Sequence, residues 1–161
     1  MILEKKNIMD FFEHQLSTWD LASVNYECLS KVKKKFFKIK DLKCEVQFNP
    51  ERAKSTLANL QKEKIKDREC FLCKDNRPIE QKGIEILPGW ELLINPYPIL
   101  TPHFTIVSKQ HTDQQLNPSI GFELVYRLKG MVVFYNDAGA GASAPDHMHF
   151  QAVSKEDLPL N

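Results

Sequence analysis

Asp146-His147-Met148-His149-Phe150-Gln151-Ala152 sets two imidazoles and a carboxamide at alternate positions late in this 161-residue chain. Successive side chains of an extended strand point to opposite faces. The spacing therefore predicts His147, His149 and Gln151 on one face and Met148, Phe150 and Ala152 on the other. A neutral imidazole attacks phosphorus without first losing a proton, provided one ring nitrogen is free and the other is held. A carboxamide donates to phosphoryl oxygens without changing charge. Upstream, Asn136 to Pro145 (Asn-Asp-Ala-Gly-Ala-Gly-Ala-Ser-Ala-Pro) is a loop of small residues whose backbone N–H groups are left uncovered by side chains. Such a loop beside two histidines points to a phosphate site. The competing readings are a metal-binding histidine pair and a buried polar face between layers.

Cys70-Phe71-Leu72-Cys73 is the second constellation. A Cys-x-x-Cys turn presents two thiolates to one zinc ion, which takes four N or S ligands in a tetrahedron. Two further ligands would come from among His14, His103, His111, His147 and His149. A redox pair is the alternative, and it expects the motif at a helix N-terminus within a βαβ unit. Packing of unmetallated thiols is a third reading, and spacing leaves all three open.

The elements that would carry these groups follow from patterning. The length suits one domain with a sizeable core. The formal net charge of +1 gives no global field toward nucleic acid or an anionic membrane. No run of about 18 apolar residues and no signal-peptide pattern is present. Four cysteines, two of them in one Cys-x-x-Cys, suit a reducing compartment. The expectation is a soluble, cytoplasmic protein with neither nucleic-acid nor membrane partners. Residues 5–16 read as a short helix. Ser17-Thr18-Trp19-Asp20 reads as a capping box for a second helix carrying Leu21, Val24, Cys28, Val32 and Phe36 at helical spacing, with Lys31, Lys33, Lys34, Lys35 and Lys38 on its solvated face. Cys44–Phe48 reads as a strand, residues 51–62 as helix or loop, and residues 61–68 as an exposed connection. Strands are expected at Ile84–Leu87, Trp90–Asn95, His103–Ser108 and Met131–Tyr135. Asn117-Pro118 signals a helix start, with Ile120, Leu124, Leu128 and Met131 down one face and Gly130 near its stop. The fold class is therefore α+β: helices first, then a mainly antiparallel sheet with one inserted helix.

Asn136, the small-residue loop and His147-x-His149-x-Gln151 together resemble the transferase branch of the histidine-triad (HIT-like) superfamily. That branch includes galactose-1-phosphate uridylyltransferase, ATP adenylyltransferase (diadenosine tetraphosphate phosphorylase) and the GDP-hexose phosphorylases. Ile94-Asn95-Pro96-Tyr97-Pro98, Pro102-His103-Phe104-Thr105-Ile106-Val107-Ser108 and His111 resemble the paired central strands of that superfamily, and Cys70-x-x-Cys73 lies where many members carry zinc-binding cysteines. The resemblance covers residues 65–155 and implies a HIT-like nucleotide-binding domain over 65–161, with residues 1–64 as an N-terminal helical extension packed on it. It implies that His149 is the nucleophile, forming a nucleotidyl-histidine intermediate, and that Gln151 binds the transferred group. Simple hydrolases of the superfamily have histidine at that last position, so glutamine implies transfer. Asn95, Asn136, Gly139, Gly141 and Ser143 would lie near the nucleotide and its phosphates. Cys70, Cys73, His111 and His147 would hold a structural zinc. The expected partner is a nucleotide-containing small molecule, a nucleotide sugar or dinucleoside polyphosphate. The two-lobed transferases contain a second related half, so either two chains pair as a homodimer, or a second lobe is missing or supplied elsewhere. A zinc-stabilised nucleotide-binding module without turnover, a HIT-type hydrolase and a thioredoxin-like redox protein are the rival functions.

Overall fold

The structure is a computed structural model that describes residues 4–50 and 68–158. Helix α1 spans Lys5–Thr18 and α2 spans Asp20–Ser30. Strands β1 (Lys33–Ile39) and β2 (Leu42–Phe48) form an antiparallel hairpin. After the cysteine turn come β3 (Gly83–Leu87), β4 (Trp90–Ile94) and β5 (His103–Ser108). Helix α3 (Pro118–Arg127) and β6 (Met131–Phe134) precede β7 (His149–Ser154). Strands β3 to β7 form one five-stranded antiparallel sheet in the order β3-β4-β5-β7-β6. This is the expected α+β architecture with an antiparallel sheet and an inserted helix. No described helix is long and apolar enough to cross a membrane.

Alternation along the central strands separates the two faces of the sheet. Leu92, Ile94, Phe104, Ile106, Phe150 and Ala152 share a buried cluster with Ile8 and Phe12 of α1, Tyr26 of α2 and Leu124 of α3. The opposite face carries His103 and Thr105 of β5 beside His149 and Gln151 of β7, with Thr105 paired to Gln151 and Val107 to His149. Among the described residues, the helices pack on the first of these faces. Burying each large apolar side chain contributes about 1.5–3 kcal/mol.

The two N-terminal helices do more than cover the core. Gln15 of α1 is fully buried; its amide donates to the Glu80 carbonyl and its oxygen accepts from the Lys82 N–H. Asn25 of α2 donates to the Pro96 carbonyl at 2.7 Å. The Tyr26 hydroxyl donates to the His103 carbonyl and accepts from the His103 N–H, gripping the first residue of β5 from both sides.

Local signals and long-range pairing part company in the first fifty residues. The expected capping box is absent: Trp19 caps α2 without a side-chain hydrogen bond, and Ser17 and Thr18 instead donate to the His14 carbonyl at the end of α1. The second helix was expected to reach Phe36, yet it stops at Ser30 and the lysine-rich run becomes β1. On a helix, those lysines would stack like charges three and four residues apart. In the hairpin Lys34 meets Glu45 at 2.7 Å, and Lys40 takes a positive φ of 52° at the turn. The inserted helix begins as expected, with the Asn117 side chain accepting from the N–H groups of Ser119 and Ile120. Gly130, at φ 84°, turns the chain into β6. The readings for 51–62 and most of 61–68 lie outside the described residues.

Tyr26→Phe removes the hydroxyl that both donates to the His103 carbonyl and accepts from the buried His103 N–H. Urea unfolding of this variant is expected to show a loss of about 1–3 kcal/mol with an unchanged m-value.

Candidate functional site

A tight turn builds the cysteine pair. The Cys73 N–H donates to the Cys70 carbonyl, the Asn76 N–H donates to the Cys73 carbonyl, and the Asn76 side chain donates back to the Cys70 carbonyl. Arg77 then ties this turn to the sheet through a buried ion pair with Glu91 of β4 at 2.8 Å. A short helical turn at Lys74–Asn76 follows the motif, not the N-terminus of a βαβ helix.

The segment after β5 runs beside the residues before β7. The Ser108 N–H donates to the Met148 carbonyl, the Met148 N–H to Thr112, and the Gln114 N–H to Pro145. This brings His111 and His147 over the cysteines. The ligand atoms of Cys70, Cys73, His111 and His147 all lie within 4.8 Å of one another. Cys70 Sγ is 3.2 Å from His147 Nδ1; Cys73 Sγ is 3.2 Å from His111 Nδ1 and 3.6 Å from His147 Nδ1. Metal–sulfur and metal–nitrogen bonds of about 2.3 and 2.0 Å at the tetrahedral angle put S and N about 3.5 Å apart. His147 Nε2–H donates to the Ser108 carbonyl at 2.8 Å, which leaves Nδ1 as the ligating atom and fixes the ring.

The electrostatics agree with a cation here. Burial pushes the Cys70 thiol up, but contact with His147 and the backbone N–H groups of Leu72 and Cys73 outweighs it, leaving the thiol at about 7. Burial and the neighbouring Cys70 push Cys73 the other way, to about 11. Two sulfurs that cannot both ionise cheaply are relieved by a dication between them. The four residues can therefore hold a metal ion.

The expected polar strand differs in one respect. His147 lies in a bend before β7, which starts at His149, so His147 does not share an extended face with His149 and Gln151. The bend frees its ring to turn to the cysteines. His149 is 4% exposed, and burial lowers its pKa, favouring the neutral ring at pH 7. Its Nδ1–H donates to the His147 carbonyl at 2.8 Å. Nε2 then carries a lone pair and has no hydrogen-bond partner among the described residues. Gln151 lies two residues on, on the same face.

The other expected residues divide. Asn95 sits next to the site: its Nδ2 donates to Thr105 Oγ1, across from Gln151, and its Oδ1 accepts from the Tyr97 N–H. Asn136 is brought beside His149 through Gln114, whose amide donates to the carbonyls of both. Gly139, Gly141 and Ser143 lie on an exposed loop with no hydrogen bond to His149 or Gln151 among the described residues. Nor are the loop amides as uncovered as expected. Gly139 N–H donates to Asp137 Oδ1 and Ala140 N–H to the Asp137 carbonyl. Asp146 is taken up by Arg68 at 2.6 Å.

Two residues hold the site together in ways the sequence does not foretell: Gln114, which it does not single out, and His103, a candidate metal ligand there that lies outside the Cys/His cluster. Gln114 accepts from the His149 N–H at 2.8 Å, so its carboxamide pairs with both backbone groups of the first β7 residue. Nothing in its irregular segment signals this. His103 contacts Gln151 directly, Nε2 to Oε1 at 2.8 Å. Its signal was present: His103 and Thr105 alternate with the apolar Phe104 and Ile106 and so share one face of β5.

Elemental analysis of the purified protein is expected to find about one divalent transition-metal ion per chain. Cys70→Ser should bring this close to zero and lower the thermal midpoint.

Comparison with known proteins places this geometry in context. No curated protein sequence matches the chain. Among solved structures, yeast Ap4A phosphorylase Apa2 in complex with AMP is similar with a TM-score of 0.48 and 20% identity, over 87% of this chain and 49% of that one. Apa2 in complex with Ap4A gives a TM-score of 0.42 and 17% identity, over 86% and 53%. The chain thus spans about half the length of the solved structures it matches. A family profile described as "Domain of unknown function (DUF4922)" matches residues 11–154, from the first helix through the end of β7, and the chain belongs to that family.

Proposed function

We propose that this chain is a nucleotidyltransferase or phosphorylase of HIT-like type. Its substrate class is a nucleotide sugar or dinucleoside polyphosphate, and the nucleotide is carried on His149. One observation carries the reading: Nδ1–H of His149 is held by the His147 carbonyl, which leaves the Nε2 lone pair on the face that also bears Gln151. A buried, neutral, tautomerically fixed imidazole is the form that attacks phosphorus.

In the first half-reaction Nε2 attacks the α-phosphorus. The N–P bond forms as the bond from phosphorus to the bridging oxygen breaks, and its electron pair leaves with the departing phosphate group. The imidazolium so formed keeps its Nδ1 proton on the His147 carbonyl. Gln151 donates to a nonbridging oxygen as charge develops there. In the second half-reaction a phosphate or sugar-phosphate oxygen attacks phosphorus, the N–P bond breaks and its electron pair returns to Nε2. Asn95 and Asn136 flank the nucleotide, and the loop carrying Gly139, Gly141 and Ser143 lies on the phosphate side.

Zinc is the ion we assign to Cys70, Cys73, His111 and His147, on the chemistry of two thiolates and two imidazoles whose ligand atoms all lie within 4.8 Å of one another. Bound by these four side chains, it would crosslink the cysteine turn to the segment after β5 and to the residues before β7.

The test is incubation with radiolabelled Ap4A, GDP-hexose or UDP-hexose, followed by acid quench. Ap4A is included because the matched structures are of an Ap4A phosphorylase. An acid-labile label on wild type, absent from His149→Ala along with at least ~10³-fold of the turnover, is the expected result. Nucleotide binding without label in wild type would sink covalent transfer and leave a binding module. Release of nucleoside monophosphate without added phosphate would make the protein a hydrolase.

A further inference from the structure

We infer that His103 is a positioning residue that decides which end of the Gln151 carboxamide faces the substrate. The inference rests on the site proposed above. Its physical core, the orientation of one amide, stands on hydrogen bonds alone.

The Ile99 N–H donates to His103 Nδ1 at 3.3 Å. A backbone N–H has only a proton to offer, so Nδ1 carries the lone pair. In the neutral ring Nε2 then carries the hydrogen. Nε2 lies 2.8 Å from the Gln151 side chain, so the atom it meets there is the acceptor, Oε1. The amide nitrogen of Gln151 is the end that does not meet His103, and it has no hydrogen-bond partner among the described residues. A flipped carboxamide would set N–H against N–H and lose the bond.

The ring cannot follow such a flip. His103 is fully buried, and Tyr26 holds its backbone from both sides. Its ring stacks on Phe134 at 6.3 Å between centroids with 22° between planes. Phe134 is itself the β6 partner of Gln151. One rigid imidazole therefore turns a side chain that could show either a donor or an acceptor into a fixed donor. A fixed donor suits a phosphoryl group, whose oxygens accept, and suits poorly a substrate that presents N–H or O–H groups at this point.

The experiment uses the full chain and three readouts. Long-range proton–nitrogen NMR correlations should show His103 as the Nε2–H tautomer; the Nδ1–H tautomer would overturn the inference whatever the activity. Inorganic phosphate titrated into labelled protein should shift the Gln151 side-chain NH2 signals in wild type and leave them unmoved in His103→Phe, which keeps a stacking ring but has no donor. Equal shifts in both proteins would also overturn it. With Ap4A and phosphate, His103→Phe should lower kcat about 10- to 100-fold with KM changed less than threefold, and His103→Gln, which restores an N–H donor, should recover most of the loss. Unchanged kcat in His103→Phe would defeat the inference. Wild type without turnover, together with the Nε2–H tautomer and the phosphate shift, would defeat the proposed transfer and leave the amide assignment standing.

Discussion

The register between β5 and β7 is the constraint on which the rest depends. Ile106 sits opposite Phe150 and Thr105 opposite Gln151. Because side chains alternate, a slip of one residue would drive His149 and Gln151 into the helix-covered core and push Phe150 and Ala152 out. Burial of Phe104, Ile106 and Phe150 in the cluster shared with α1, α2 and α3 penalises that slip by several side chains at about 1.5–3 kcal/mol each. The polar face is thus specified by the apolar one. The imidazoles of His103 and His149 need no separate device to reach their side of the sheet.

Much of this was legible where the physics is local. Asn117-Pro118 starts α3 because a cap and a fixed φ act within one turn. The cysteine turn, the strand spans and the convergence of Cys70, Cys73, His111 and His147 followed from spacing and resemblance. What escaped depended on partners distant in sequence. Lys33 to Ile39 carries helical periodicity, but Glu45 and the opposite strand decide its state. The bend at His147 arises from hydrogen bonds to the 108–114 segment, which no strand pattern contains. Gln114 matters because its carboxamide is as wide as a peptide unit and pairs with His149 as a neighbouring strand would.

Charge near the site is compensated by pairing. Arg68 meets Asp146, Arg77 meets Glu91, and the cysteines meet imidazoles. The buried Arg77–Glu91 pair adds little net stability, since desolvation opposes its attraction. Its effect is positional: it joins the cysteine turn to β4.

His147, Met148 and His149 are consecutive, yet they belong to three different structures. The first ring sits in the Cys/His cluster, the second side chain in the apolar core, and the third ring on the polar face. The carbonyl of the first holds the nitrogen of the third. Anchored at both ends and in the middle, this tripeptide works like a rivet through the sheet. Strain applied at the cysteines has no slack in which to dissipate before it reaches the ring of His149.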